Sequence, residues 1–136
     1  MRFELATPTR LLVSSEVEEV VAPGTEGYFG VLPGHAAFLT TLGSGEVSYR
    51  TGRAESWVSV SGGFAEVAGD RVIILAESAE LPEEIDRQRA ERARQRAEQR
   101  LVGKNPGAAE DVDYARAAAA LARALARLQA ASRSGR

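Results

Sequence analysis

A chain of 136 residues, 44% hydrophobic and 26% charged, has room for one compact domain plus a small appendage and the composition of a globular protein. A net charge of −2 speaks against a dedicated nucleic-acid binder, the absence of cysteine excludes disulfides, thiolate nucleophiles and Cys-ligated metals, and the single histidine excludes any site needing two imidazoles. No apolar run reaches the roughly 18 residues of a membrane span and residues 1–12 lack the pattern of a secretory signal, which leaves a cytosolic or membrane-peripheral location.

The average composition hides a change of character. Residues 1–82 hold five Arg, no Lys and eleven acids, a net of −6, with most of the glycines and four of the five prolines. Residues 83–136 hold eleven Arg, one Lys and eight acids, a net of +4, and are rich in alanine. Two segments built on different principles meet near Leu81-Pro82.

The first segment reads as strands. Phe3-Glu4-Leu5-Ala6 alternates apolar with polar and ends before Pro8. Valine-rich Glu16–Ala22 stops at Pro23-Gly24. Glu46–Arg50 alternates with period two into the turn Thr51-Gly52-Arg53, and Ser56–Val60 alternates again up to Gly62-Gly63. Phe64–Val67 follows, then the turn Gly69-Asp70 and the run Val72–Leu75. Short strands with turn signals every 8–12 residues predict an antiparallel sandwich or barrel, each strand with one buried face.

The second segment reads as two helices. Pro82 suits a first helical position, and Glu83, Glu84 and Asp86 place negative charge where the helix dipole favours it. This helix is expected to run to about Val102 and to break at Gly103-Lys104-Asn105-Pro106-Gly107. Asp111 or Asp113 can cap a second helix that runs to about Ala131, and the short loop implies an antiparallel hairpin. At about 100° per residue, Leu121, Leu125 and Leu128 fall on one side of the second helix and Arg116, Arg123 and Arg127 on the other. Ala90, Ala93, Ala97 and Leu101 form a stripe on the first helix. Alanine buries little area, so this hairpin is expected to be thinly held and able to leave its docked position.

No enzyme site stands out. His35, in the turn-rich Leu32-Pro33-Gly34-His35, has no nucleophile and orienting acid at telling spacing, and reads as a backbone-bonded turn residue. Gly103-Lys104 lacks the upstream glycine and the Ser or Thr of a phosphate loop. The glycines at 24, 27, 30 and 34 precede no helix and do not form a dinucleotide fingerprint. The arginine-rich helices point instead to an acidic partner, a nucleotide phosphate or nucleic acid, since the guanidinium fork matches carboxylate and phosphate. Against these stands simple solvation with helix pairs such as Glu83–Arg87.

The stretch Gly24-Thr25-Glu26-Gly27-Tyr28-Phe29-Gly30-Val31-Leu32-Pro33-Gly34-His35-Ala36 resembles the epsilon subunit of bacterial F-type ATP synthases. The likeness continues in order through Leu39–Leu42, Gly45-Glu46-Val47, Ser61–Val67, Val72–Glu77, Ile85–Ala90 and Asp111–Ala117. It implies a ten-stranded antiparallel β-sandwich, residues 1–82, that binds the gamma subunit and the c-ring, followed by a regulatory helical hairpin, residues 83–136. It implies a non-catalytic rotor subunit at the cytoplasmic face of the plasma membrane, with no required cofactor, which helps couple proton flow to rotation and ATP synthesis. In bacterial members the hairpin can extend and block ATP hydrolysis at the alpha and beta subunits, which gives Arg116, Arg123 and Arg127 an acidic partner. Some members bind ATP when the hairpin is docked, through Ile/Leu-Asp-x-x-Arg-Ala. Ile85, Asp86, Arg89 and Ala90 match that motif, and Arg123 and Arg127 match the accompanying arginines, with Asp86 expected at the adenine amino group. The loop Glu26, Gly27, Tyr28, Phe29, with His35, is expected to face the ring and gamma. Tyr28 and Ala37-Phe38 depart from the family pattern and give this loop more apolar character. The rivals are a free-standing nucleotide-sensing module and a nucleic-acid binder, and the acidic first segment weighs against the latter.

Overall fold

The computed structural model describes residues 1–102 and 111–134. Strands β1 (Arg2–Ala6), β2 (Leu11–Glu16), β3 (Glu19–Gly24), β4 (Gly27–Val31), β5 (Phe38–Thr41), β6 (Ser44–Thr51), β7 (Ala54–Ala68) and β8 (Arg71–Glu80) precede helices α1 (Arg87–Leu101) and α2 (Asp111–Ala131). The strands form one hydrogen-bonded path, β2-β1-β8-β7-β6-β3-β4, with β5 added to β7. β1 and β8 run parallel, and the other pairs are antiparallel.

The path becomes two layers because of β7. Its first part, Ala54–Ser61, pairs with β6, and its last, Phe64–Val67, pairs with β5. Between them Gly62 and Gly63 take φ of +69° and +106°. A side chain at Gly63 would collide with the carbonyl oxygen of Leu75 on the facing strand, so β7 can turn from one layer to the other only with glycine there. The inward-facing residues then close one core. Phe3, Leu5, Val20, Val31, Val47, Val58, Val60, Val72 and Ile74 are each less than 2% exposed. Each contributes about 1.5–3 kcal/mol by leaving water.

Several strand boundaries differ from the reading of the sequence. Eight strands are present among the described residues rather than ten, because β7 and β8 run long and unbroken where short strands were expected. Ser56–Val60 and Phe64–Val67 are one strand, since the two glycines bend the backbone while its pairing to β8 keeps register on either side. Glu16–Ala22 is not one strand: the chain turns at Val17-Glu18, and Leu11–Glu16 becomes a separate strand beside β1. Apolar runs do not reveal such a turn when Val17 itself packs in the core.

The first helix also starts later than Pro82. Pro82–Glu84 is a single 3-10 turn, Ile85 and Asp86 are extended, and α1 begins at Arg87. Asp86 is its N-cap, accepting the Arg89 backbone N–H at 3.0 Å. The expected breaker at 103–107 and the side chains of Asp111 and Asp113 lie outside the described residues.

Helix α2 packs on β6 and β7, and α1 packs on α2. Among the described side chains of α2 the buried ones are alanines: Ala117, Ala124, Ala126, Ala130 and Ala131. Ala117, Ala124 and Ala131 share one side, with Ala126 about 160° and Ala130 about 120° round the helix from it, so α2 is covered on more than one side. Ala90 and Ala97 are the buried residues of α1. The leucine stripe is not the seam, since Leu121 and Leu128 are half-buried and Leu125 is 47% exposed. The expected contact of alanine against leucine is therefore corrected: alanines of α2, not its leucines, are the buried residues.

The docked hairpin and its basic cleft

Four arginines meet where the hairpin crosses the end of β8. Arg96 and Arg100 stand one turn apart on α1, and Arg123 and Arg127 one turn apart on α2. Ala93, Ala97, Ala120 and Ala124 leave space between them. Ser78 and Glu80 of β8 complete the walls of a cleft of about 480 Å³, a size suited to a small ligand. Arg127 Nε donates to Glu80 Oε1 at 2.6 Å and Nη2 to Oε2 at 3.2 Å, a bidentate pair. One carboxylate against four guanidiniums leaves the cleft cationic, and the planar fork suits phosphate or carboxylate.

The structure divides the residues read from the sequence. Arg123 and Arg127 line this cleft, whereas Ile85, Asp86, Arg89 and Ala90 are not among its lining residues. Asp86 lies ten residues before Arg96, about 15 Å along a helical axis, and its carboxylate caps α1. Ile85 is buried with Ala130 and Ala131, Ala90 is fully buried, and Arg89 is exposed. Arg116 is exposed on α2. Arg96 and Arg100 join the cleft without belonging to the sequence motif, and the signal for them is an i, i+4 pair beside the alanine stripe. Ser78 and Glu80 carry no such signal, because only the docking of the hairpin brings β8 to them.

Polar ties supplement the alanine contacts. Arg87 Nη2 donates to the Ala131 carbonyl at 3.0 Å. Arg133, in the 3-10 turn Ser132–Ser134, reaches Glu46 and Trp57 on the sandwich. In the linker, Arg10 donates to both oxygens of Glu84 at 2.8 and 2.6 Å, and the Leu81 N–H donates to Glu84 at 2.8 Å. The Arg10 guanidinium first, and the Leu81 amide second, hold the Glu84 carboxyl down to about 2.

The β3–β4 hairpin presents the second predicted surface. Glu26 and Gly27 lie at the β3–β4 turn, where the Thr25 N–H donates to the Thr41 carbonyl at 3.0 Å. Tyr28 is 61% exposed, yet its hydroxyl accepts the Glu46 N–H at 3.1 Å. It can do so because Gly45 has no side chain to strike it. Phe29 packs against the core and meets Phe38 at 5.2 Å between ring centres. His35 stands edge-on to Phe38 at 6.1 Å, and its Nδ1 lies 2.6 Å from the Ala36 carbonyl, an acceptor only, so Nδ1 carries the proton. Phe29 and His35 are thus joined through Phe38, one of the departures noted in the sequence. His35 binds backbone and ring edges, as read from its turn.

The outer face of the sandwich carries an apolar row. Thr41, Phe64, Leu75 and Ala6 are successive register partners across β5, β7, β8 and β1. Phe64 is 47% and Leu75 43% exposed. They border an open cavity of about 490 Å³ lined also by Thr7, Pro8 and Glu77. Among the described residues, no cluster of His, Asp or Glu is arranged to hold a metal, and no helix is long and apolar enough to cross a membrane.

The comparisons with known proteins agree along the whole chain. Residues 1–82 match the family model described as ATP synthase, Delta/Epsilon chain, beta-sandwich domain, and residues 83–132 the one described as ATP synthase, Delta/Epsilon chain, long alpha-helix domain. The chain is 52% identical over 132 residues to an ATP synthase epsilon chain of Moorella thermoacetica, covering 96% of each. It is 50% identical over 129 residues to one from Nitratidesulfovibrio vulgaris, covering 95% of this chain and 93% of that one. A chain in the Euglena gracilis mitochondrial ATP synthase, in a structure of its OSCP, F1 and c-ring, superposes with a TM-score of 0.78 at 25% identity, over 96% of this chain and 79% of that one. A chain in the central stalk and c-ring of the Tetrahymena thermophila enzyme shares the fold, with a TM-score of 0.60 at 15% identity, over 96% and 95%. Sandwich, hairpin and full-length likeness converge: the chain belongs to the ATP synthase delta/epsilon family.

Proposed function

We propose that this chain is a non-catalytic rotor subunit of an F-type ATP synthase, and that its hairpin restrains ATP hydrolysis when it leaves the sandwich. The observation that carries the second part is how the hairpin is held. Small alanines and a few ion pairs cover both faces of α2, so little apolar area opposes release. Once free, α2 presents Arg116, Arg123 and Arg127 to acidic segments of the alpha and beta subunits. The likeness to epsilon chains and to stalk structures supports the rotor assignment.

On this reading the sandwich, residues 1–82, sits between gamma and the c-ring at the cytoplasmic face of the membrane. The apolar row through Phe64 and Leu75 is the surface offered to gamma, and the β3–β4 hairpin end with Glu26, Gly27, Tyr28 and Phe29, together with His35, is offered to the ring. Residues 83–136 are the regulatory part. ATP is the regulatory ligand of the docked state, its phosphates taken by Arg123 and Arg127 together with Arg96 and Arg100. A ligand that binds only the docked hairpin raises its population. The capping role of Asp86 moves the weight of recognition from the adenine to the phosphates.

ATP hydrolysis by the rotor-containing catalytic head tests the reading, with the full chain and with a chain ended after Glu80. Truncation is expected to raise the rate, most at low ATP. Equal rates with intact assembly would remove the inhibitory role and leave the subunit assignment. Titration calorimetry of the full chain with millimolar ATP is expected to give heat that Arg123→Ala abolishes; no heat with the parent chain would remove the ATP site.

A further inference from the structure

We propose that Arg133 is a latch for the docked hairpin, and that Glu46 and Trp57 form its receptor on the sandwich. The 3-10 turn after α2 carries Arg133 back over the β6–β7 pair. Its guanidinium carbon lies 4.7 Å from the centre of the Trp57 ring. Its Nε and Nη2 face the two oxygens of Glu46 at 3.4 and 3.5 Å. Glu46 pairs with Ser59 and Ser48 with Trp57, so Glu46 and Trp57 are diagonal neighbours on one face of the sheet. The ladder therefore fixes the spacing of anion and ring whether or not the hairpin is present. A guanidinium suits both at once, with its edge to the carboxylate and its face to the indole.

Glu46 gives the contact its strength and its sign. It is 7% exposed, the one charged side chain among the buried described residues, and it lies on a strand that α2 covers. A buried carboxylate is tolerated when paired and costly when its partner is removed. With Arg133 in place, docking satisfies Glu46. Without it, docking buries an uncompensated charge, and undocking returns that charge to water. The pair therefore favours the docked state when whole and opposes it when broken, which alanine contacts cannot do. The backbone of Glu46 is itself held by the Tyr28 hydroxyl, so the residue that receives the latch is tied to strand β4.

The proposal rests on the hairpin being able to leave, and not on what the freed hairpin then does. The test is amide hydrogen exchange of the full chain at neutral pH, with fluorescence of Trp57, the single tryptophan, as a second readout. Arg133→Ala is expected to lower protection across α2 at least tenfold, about 1.4 kcal/mol, and to shift Trp57 emission, while β7 and β8 keep their protection. Arg92→Ala removes the same charge from an exposed position on α1 and is expected to change α2 by less than twofold. Adding Glu46→Gln to Arg133→Ala removes the stranded charge and is expected to recover at least half of the lost protection. The proposal is overturned if Arg133→Ala leaves α2 within twofold of the parent, or if the double variant exchanges as fast as Arg133→Ala alone. ATP hydrolysis by the assembled head reports on the inhibitory role separately, and its failure leaves the latch standing.

Discussion

Ile74 is the most informative single residue for the sandwich. It is fully buried on β8, which runs between β1 and β7. Its register partners are Leu5 and Ala65, both also fully buried. Ile74→Ala removes three carbons, about 2.4 kcal/mol at roughly 0.8 each. Backbone on both sides is fixed by ladder hydrogen bonds, and Ala65 is too small to fill the space, so the void relaxes little and the cavity brings the cost to about 4 kcal/mol. Ile73→Ala is the internal control, because the strand period puts Ile73 on the outer face, where it is half-buried; it is expected to cost less than half as much. Urea unfolding of the full chain, followed by far-ultraviolet circular dichroism, measures both. With a slope of about 2 kcal/mol/M the midpoint falls by about 2 M for Ile74→Ala. A loss below about 1.5 kcal/mol, or equal losses at 73 and 74, would refute the assignment of the core face and the two-layer packing drawn from it.

Gly63→Ala is expected to destabilise the sandwich by at least about 2 kcal/mol, because the new Cβ meets the Leu75 carbonyl at a φ of +106°; a urea midpoint within error of the parent would show that β7 does not turn there. Glu84→Gln tests the linker through pH. The folded carboxyl is held at about 2, below its ordinary 4.5, so as pH falls the unfolded chain takes up the proton first and the stabilisation is lost. The parent is therefore expected to exceed Glu84→Gln in stability above about pH 5 and to match it towards pH 2, as read from thermal midpoints across that range; a difference unchanged from pH 6 to pH 3 would place the linker contact elsewhere.

Much of this protein was legible in order along the chain. Alternation marked Phe3 and Leu5, and Val58 and Val60, as inward residues, because a strand with one wet face must alternate, whereas the unbroken run Val72–Leu75 did not show which of its residues face in. The division near Pro82 followed from charge and glycine content, since a sandwich needs turns and a helical hairpin needs alanine. The ordered series of short motifs from Gly24 to Ala117 pointed to the family, whose models match both segments.

What the sequence did not determine were the relations that exist only across the fold. That Gly62-Gly63 bends one strand instead of separating two depends on β8 holding register through the bend. Which side of α2 is buried depends on its lying between α1 and the sheet, so alanines rather than leucines form the seam. Ile85, Asp86, Arg89 and Ala90 read as one motif, yet a cap uses Asp86, burial uses Ile85 and Ala90, and Arg96, Arg100 and Glu80 gather with Arg123 and Arg127 instead. The pairing of Arg133 with Glu46, 87 residues apart, is the extreme case. Period and composition report how each segment buries its own face, whereas partners from distant segments are chosen by how the packed elements cross, and that is decided only when the hairpin lies on the sandwich.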